Sequence, residues 1–102
     1  MTSRKIVFTP LVEQGRTKFV NSWHLSALKV LAELDRLIHD RPGTGTETSK
    51  RGLFVQKVAL TVSPNVFFCE VAYSFNDRAI RWEAFDWKVI KASPPRPKPE
   101  NS

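Results

Sequence analysis

A chain of 102 residues has room for one domain, and 41% hydrophobic with 25% charged residues is the balance of a globular protein. Sixteen Lys and Arg against ten Asp and Glu leave a net charge of +6, a surplus that favours a polyanion or an acidic protein as partner. The single cysteine, Cys69, excludes an internal disulfide, and no apolar run reaches the length of a membrane span or a signal-type stretch, so a reduced, cytoplasmic setting without membrane contact is expected.

Lys5 to Phe8 reads as a short strand, ended by Thr9-Pro10. Thr9 is placed to cap a helix that starts at Pro10, and Glu13 complements the helix dipole in its first turn. This helix is expected to run to about Asn21, with Leu11, Val12, Phe19 and Val20 as sparse apolar positions and Gly15 as a weak point. Asn21 or Ser22 then caps a second helix, roughly Trp23 to Asp40. Its solvent stripe is Ser26, Lys29, Glu33, Arg36 and Asp40. Leu28, Leu31, Leu34 and Ile38 fill the facing side, flanked by Leu25, Val30 and Leu37. Pro42 and Gly43 stop the helix, and "DRPGTGTETS" supplies a mobile polar loop.

Three strands follow. Gly52 to Val62 is the first, Ser63-Pro64-Asn65 turns the chain, and Val66 to Phe75 is the second. Asn76-Asp77 marks a tight hairpin into the third, Arg78 to about Trp87. Short connections make these strands antiparallel neighbours. From Ala92 the composition turns to "ASPPRPKPENS", a proline-rich segment suited to an extended, flexible tail. The division is therefore one domain over residues 1–91 and a tail over 92–102. The fold class is α+β: a two-layer sandwich in β-α-α-β-β-β order, with two N-terminal helices packed on an antiparallel sheet.

Alternation sorts the first meander strand into two faces. Phe54, Gln56, Val58, Leu60 and Val62 form the more apolar one and are assigned to the helices. Leu53, Val55, Lys57, Ala59 and Thr61 then point outward, so Lys57 is tolerated because its side of the sheet is open. In the third strand Arg81 and Glu83 share one face, while Ile80, Trp82 and Ala84 occupy the other. Lys57 either joins other cations in holding an anion or pairs with a neighbouring carboxylate such as Glu70 or Glu83. Lys50 and Arg51 at the entrance to the strand, and Arg81, Lys88 and Lys91 along the last strand and its exit, are the other cations of interest.

Other chemistry finds little support. His24 and His39 are fifteen residues apart, off any metal-ligand spacing, Gly43 and Gly45 lack the flanks of a phosphate loop, and no Ser/His/Asp set is apparent. No metal or cofactor is expected.

Three phrases resemble the RelE/ParE superfamily of bacterial type II toxins, in its phage-type HigB-like form. "LKVLAELDRLIHDRPG" looks like that family's second helix and proline stop, "SKRGLFVQKVAL" like its basic strand, and "VFFCEVAYSFNDRAIRWEAFDWKVIK" like its final hairpin and basic exit. The similarity covers about residues 5 to 91. It implies a toxin that inhibits translation as a metal-independent, ribosome-dependent mRNA endonuclease, neutralised by an acidic antitoxin protein. By position, Lys57 would hold the scissile phosphate and Lys88 would match the basic residue of the last strand. Lys50 and Arg51 would bind the RNA backbone, joined by Lys91 at the exit, and Trp87 would stack on a base. Arg81 is added to the catalytic set from strand alternation. Such toxins often carry a Tyr or His near the end of the last strand; here the segment reads Phe85-Asp86-Trp87-Lys88, which leaves Asp86 as a proton acceptor. Other relatives inhibit gyrase without catalysis, so a protein-binding module is the alternative.

Overall fold

In the computed structural model, which describes residues 4–91, Thr9 ends the first strand and caps the helix after it. Its Oγ1 accepts a hydrogen bond from the Val12 amide at 3.3 Å, and Pro10 occupies the first helical position. The elements are β1 (Lys5–Phe8), α1 (Pro10–Asp40), a 3-10 turn (Pro42–Thr44), β2 (Thr46–Glu47), β3 (Phe54–Val62), β4 (Asn65–Phe75) and β5 (Ala79–Lys91). The proline-rich tail expected from Ala92 lies outside the described residues.

The protein is α+β, one helix packed on a five-stranded sheet of order β1-β5-β4-β3-β2. The sheet is mixed, where an antiparallel one was expected: β1 lies parallel to β5, while β2, β3, β4 and β5 form an antiparallel run. A parallel partner follows from the chain path, because the long α1 crossover returns the chain to the sheet pointing the other way. The helical boundary expected at Asn21-Ser22 lies close to a break in the backbone of α1 at His24 (φ 51°, ψ −124°), with helix continuing on either side. That conformation is strained for a residue with a Cβ and must be held by its surroundings. The break doubles the helix back. Arg16 and Asp35 sit 19 residues apart, about 28 Å along a straight helix, yet meet in an ion pair at 2.9 Å.

One core lies between α1 and the sheet. Val12, Phe19, Ala27, Val30, Leu31, Leu34 and Ile38 supply it from the helix, and Phe67, Cys69, Val71, Tyr73, Ile80 and Trp82 from β4 and β5. Each large apolar side chain taken fully out of water contributes roughly 1.5–3 kcal/mol before entropy is counted. Leu28 and Leu25, assigned to the core stripe and its flank respectively, are instead 51% and 73% exposed. The bend displaces this turn from the sheet, and the smaller Ala27 enters the core in their place. Phe54, Val58, Leu60 and Val62 of β3 pack against the core, and Lys57, Ala59 and Thr61 are exposed.

The segment expected to be a mobile polar loop is tied down at two points. Tyr73, fully buried, donates its hydroxyl to the Pro42 carbonyl at 2.5 Å, and β2 pairs with β3 through Thr46–Val55 and Glu47–Phe54. Glu47 then accepts from the Gly52 amide at 2.8 Å, closing the β2–β3 turn around Gly52, whose φ of +81° suits glycine. β3 starts at Phe54 rather than Gly52, and β5 runs on to Lys91 rather than stopping near Trp87.

β5 carries an irregularity that governs everything after it. Tyr73 pairs with Trp82 but Ala72 pairs with Ala84, so Glu83 is an extra residue in a β-bulge. One extra residue reverses the alternation. Ala84, expected beside Ile80 and Trp82, therefore turns outward, and Phe85, Trp87 and Val89 turn toward the core. Among the described residues, no helix is long and apolar enough to cross a membrane.

Candidate functional site

The face of the sheet away from α1 is open. The register sets its residues in rows that can be read across the strands. Lys57 on β3 stands opposite Glu70 on β4, which stands opposite Asp86 on β5. In the next row Ala59, Phe68 and Lys88 are aligned. Lys57, Glu70, Asp86, Phe68 and Lys88 are all exposed. They surround a hollow of about 460 Å³ over the middle of the sheet. Neighbouring strands are about 4.8 Å apart and successive rows about 6.6 Å, so Lys57, in the row of the carboxylates, and Lys88, in the next, have stems about 12 Å apart.

A second hollow, of about 490 Å³, adjoins the first where β2 ends and leaves the edge of β3 unpaired. Thr44, Thr46 and Thr48 line it on one side, Lys57 and Glu70 on the other. Lys57 and Glu70 thus form the ridge between the two hollows. The Tyr73–Pro42 hydrogen bond holds the threonine-bearing segment at this rim.

Lys57 and Arg81 project from the same face, since Lys57 pairs with Glu70 and Arg81 with Ser74, an even number of residues along β4. They do not meet. Four residues of strand separate the two rows, about 13 Å. Arg81 has its own partner: Nε lies 3.5 Å from Glu83 Oε2, which also accepts from the Ser74 hydroxyl at 3.2 Å. The bulge therefore creates a local carboxylate partner for Arg81 and leaves it outside the central hollow.

Lys57 is not neutralised in the same way. Among the described residues, no carboxylate lies within ion-pair distance of Lys57 or Lys88, although Glu70 and Asp86 share their face. The central hollow carries two cations and two carboxylates, so it is balanced in charge rather than the purely cationic hollow the sequence suggests.

The remaining expected site residues are scattered. Lys50 and Arg51 are exposed in the β2–β3 turn, where Lys50 N donates to Thr48 Oγ1 at 3.1 Å. Arg51 stands six residues from Lys57, roughly 20 Å along an extended chain, and so is outside the hollow. Lys91 is the last residue of β5, opposite Asn65. Trp87, expected to stack on a base, instead packs against Phe19 with ring centroids 4.8 Å apart and is partly buried against the core. The bulge accounts for this. The aromatic side chain that does stand on the open face is Phe68, 43% exposed, beside Ile90 at 45%. Strict alternation in "VFFCE" was the available signal: Phe67 is fully buried, so its neighbour must face out.

Cys69, in the same strand, is chemically quiet. Its side chain is buried between β3 and β5 on the helix side, and burial pushes its thiol up to about 11. Burial likewise raises the Tyr73 phenol, opposed in part by its hydrogen bond to the Gly45 backbone.

No family model matches the chain, and no curated protein and no solved structure matches it significantly.

Proposed function

We propose that this protein is a toxin of the RelE/ParE type, acting on mRNA at the ribosome as a metal-independent endonuclease and restrained by an acidic antitoxin. The observation that carries this reading is the central row, Lys57, Glu70 and Asp86 on three adjacent strands with Lys88 diagonal to them, on a face that α1 leaves open.

That set contains the groups RNA cleavage by internal attack requires. A 2′-hydroxyl forms a bond to the adjacent phosphorus as the bond from phosphorus to the 5′-oxygen breaks. Charge builds on the phosphoryl oxygens, and an ammonium group aimed at them lowers the barrier. Lys57 holds those oxygens. The 2′-hydroxyl proton passes to the carboxylate of Asp86, and the departing 5′-oxygen takes a proton from the ammonium of Lys88. Arg81 lies too far along the sheet to share this phosphate and is assigned to the RNA strand beyond it. Lys50, Arg51 and Lys91 contribute general attraction for the backbone at the ends of the sheet.

A second reading, a non-catalytic protein-binding module such as a gyrase inhibitor, draws on the exposed Phe68 and Ile90 within a balanced set of charges. An apolar centre with a polar rim is how protein interfaces are built. Induced expression followed by primer extension on cellular mRNA separates the two. Cuts inside coding sequences, abolished by Lys57→Ala and by Lys88→Ala, support the nuclease. Intact mRNA with arrested replication supports the binding module.

A further inference from the structure

Strand alternation turns Phe68 away from the core. Its neighbours in β4, Phe67 and Cys69, fill the core, while Phe68 leaves a large apolar ring in water. It stands directly between Ala59 on β3 and Lys88 on β5. Ala59 is too small to shield the ring from the β3 side. The central hollow opens at that point, bounded by Phe68, Lys57, Lys88, Glu70 and Asp86.

The chemistry of this rim specifies its occupant. A flat ring flanked by two unpaired ammonium groups matches a nucleobase carried on a phosphate chain, because stacking needs only a π-face and the cations take the phosphates. Asp86 serves the 2′-hydroxyl, which leaves Glu70, two residues from Phe68 on the open face of β4, to meet the base. A carboxylate only accepts hydrogen bonds, and the bases that offer an amino donor are cytosine, adenine and guanine. Uracil has no amino group, and its one donor, N3–H, lies between two carbonyl oxygens that a carboxylate repels, so it is disfavoured.

Resting on the RNA-binding reading above, we propose that Phe68 is the stacking platform for one unpaired base and that Glu70 selects a base bearing an amino group there. The adjoining hollow beyond the Lys57–Glu70 ridge, lined by Thr44, Thr46 and Thr48, takes the next nucleotide.

The test is fluorescence anisotropy of the 102-residue chain with end-labelled single-stranded oligo(C), oligo(A) and oligo(U). Oligo(C) and oligo(A) are expected to bind about tenfold tighter than oligo(U), and Phe68→Ala to weaken all three by about tenfold, in the range of a lost base–aromatic stack. Phe68→Trp keeps an aromatic face and retains binding, which separates stacking from a folding defect. Glu70→Gln removes the preference against oligo(U). RNA binding that is indifferent to Phe68→Ala, or equal for all three oligomers, overturns this inference and leaves RNA binding standing. Absence of binding to any RNA, with the fold intact by circular dichroism, overturns the RNA reading itself and favours a protein partner for the same face.

Discussion

Arg16 and Asp35 join the two limbs of α1 on either side of its break, through hydrogen bonds of 2.9 and 3.2 Å. The guanidinium also lies over the rings of Phe8, at 4.2 Å from the centroid, and Trp82, at 4.9 Å. One side chain thus ties both limbs of the helix to β1 and β5. This clamp helps to offset the strained backbone of His24 and holds both limbs of α1 against the sheet.

Arg16→Ala is expected to lower stability by about 2–3 kcal/mol, combining a charge-assisted pair with two cation–π contacts. Arg16→Lys should recover only part of this, since a lysine cannot make the two-pronged contact. Urea denaturation measures both. A loss below about 0.5 kcal/mol for Arg16→Ala, the level of an ordinary surface ion pair, would show that the bend is held by other contacts.

Gly45 is the tight point of the segment that rims the second hollow. A Cβ built there falls 2.4 Å from the Tyr73 hydroxyl and 3.1 Å from the Val55 carbonyl oxygen. Gly45→Ala is therefore expected to cost about 1–3 kcal/mol by overpacking. Tyr73→Phe alone should cost about 1 kcal/mol, for the lost bond to Pro42. The two are expected not to add: in the Tyr73→Phe background, Gly45→Ala loses at least about 1 kcal/mol of its cost. Strict additivity would mean that the phenol is not the obstacle.

Cys69 links stability to alkaline pH. The folded state holds the thiol proton more tightly than the unfolded chain does, with a pKa raised from 9.0 to about 11. Its contribution is complete below about pH 9 and is lost as pH rises from there through about 11, a total of roughly 2–3 kcal/mol. Tyr73, raised in the same direction, adds to the decline. Denaturation midpoints taken at about pH 8 and about pH 10 should fall less in Cys69→Ala than in the natural sequence. An identical fall in both would remove Cys69 as the cause. The same burial predicts that a thiol reagent labels Cys69 only after unfolding.

Arg81 and Lys57 share a face but not a task. In growth-arrest assays Lys57→Ala is expected to abolish toxicity, whereas Arg81→Ala, which removes a group already paired with Glu83, leaves most of it. Equal loss in both variants would place Arg81 at the same phosphate as Lys57.

Much of the framework can be read from residues. The cap at Thr9-Pro10, the proline stop at Pro42 and the two faces of β3 all follow from local chemistry, and so does the outward position of Lys57. The bulge at Glu83 does not, because no glycine or proline marks it, and its effect is large. Unbroken alternation from Ile80 would send Trp87 outward and Lys88 into the core; the extra residue exchanges them. The break in α1 is legible only in part: the capping residues Asn21 and Ser22 place a boundary close to His24, but not the direction the chain takes after it. Val12, Arg16, Phe19, Trp23, Ala27, Val30, Leu34 and Ile38 continue at helical spacing straight through His24, so periodicity cannot reveal that the helix turns back. β2, at two residues, is too short to carry any period.

The most direct test of the account is the salt dependence of single-stranded RNA binding for the natural sequence and for Lys57→Ala/Lys88→Ala. If those two ammonium groups take up phosphate, the natural chain binds RNA with an affinity that falls as salt rises, and the double variant binds more weakly with a log–log slope shallower by about 1.4. Equal affinities and parallel slopes would place the nucleic acid elsewhere on the protein, or nowhere on it, and contradict the account.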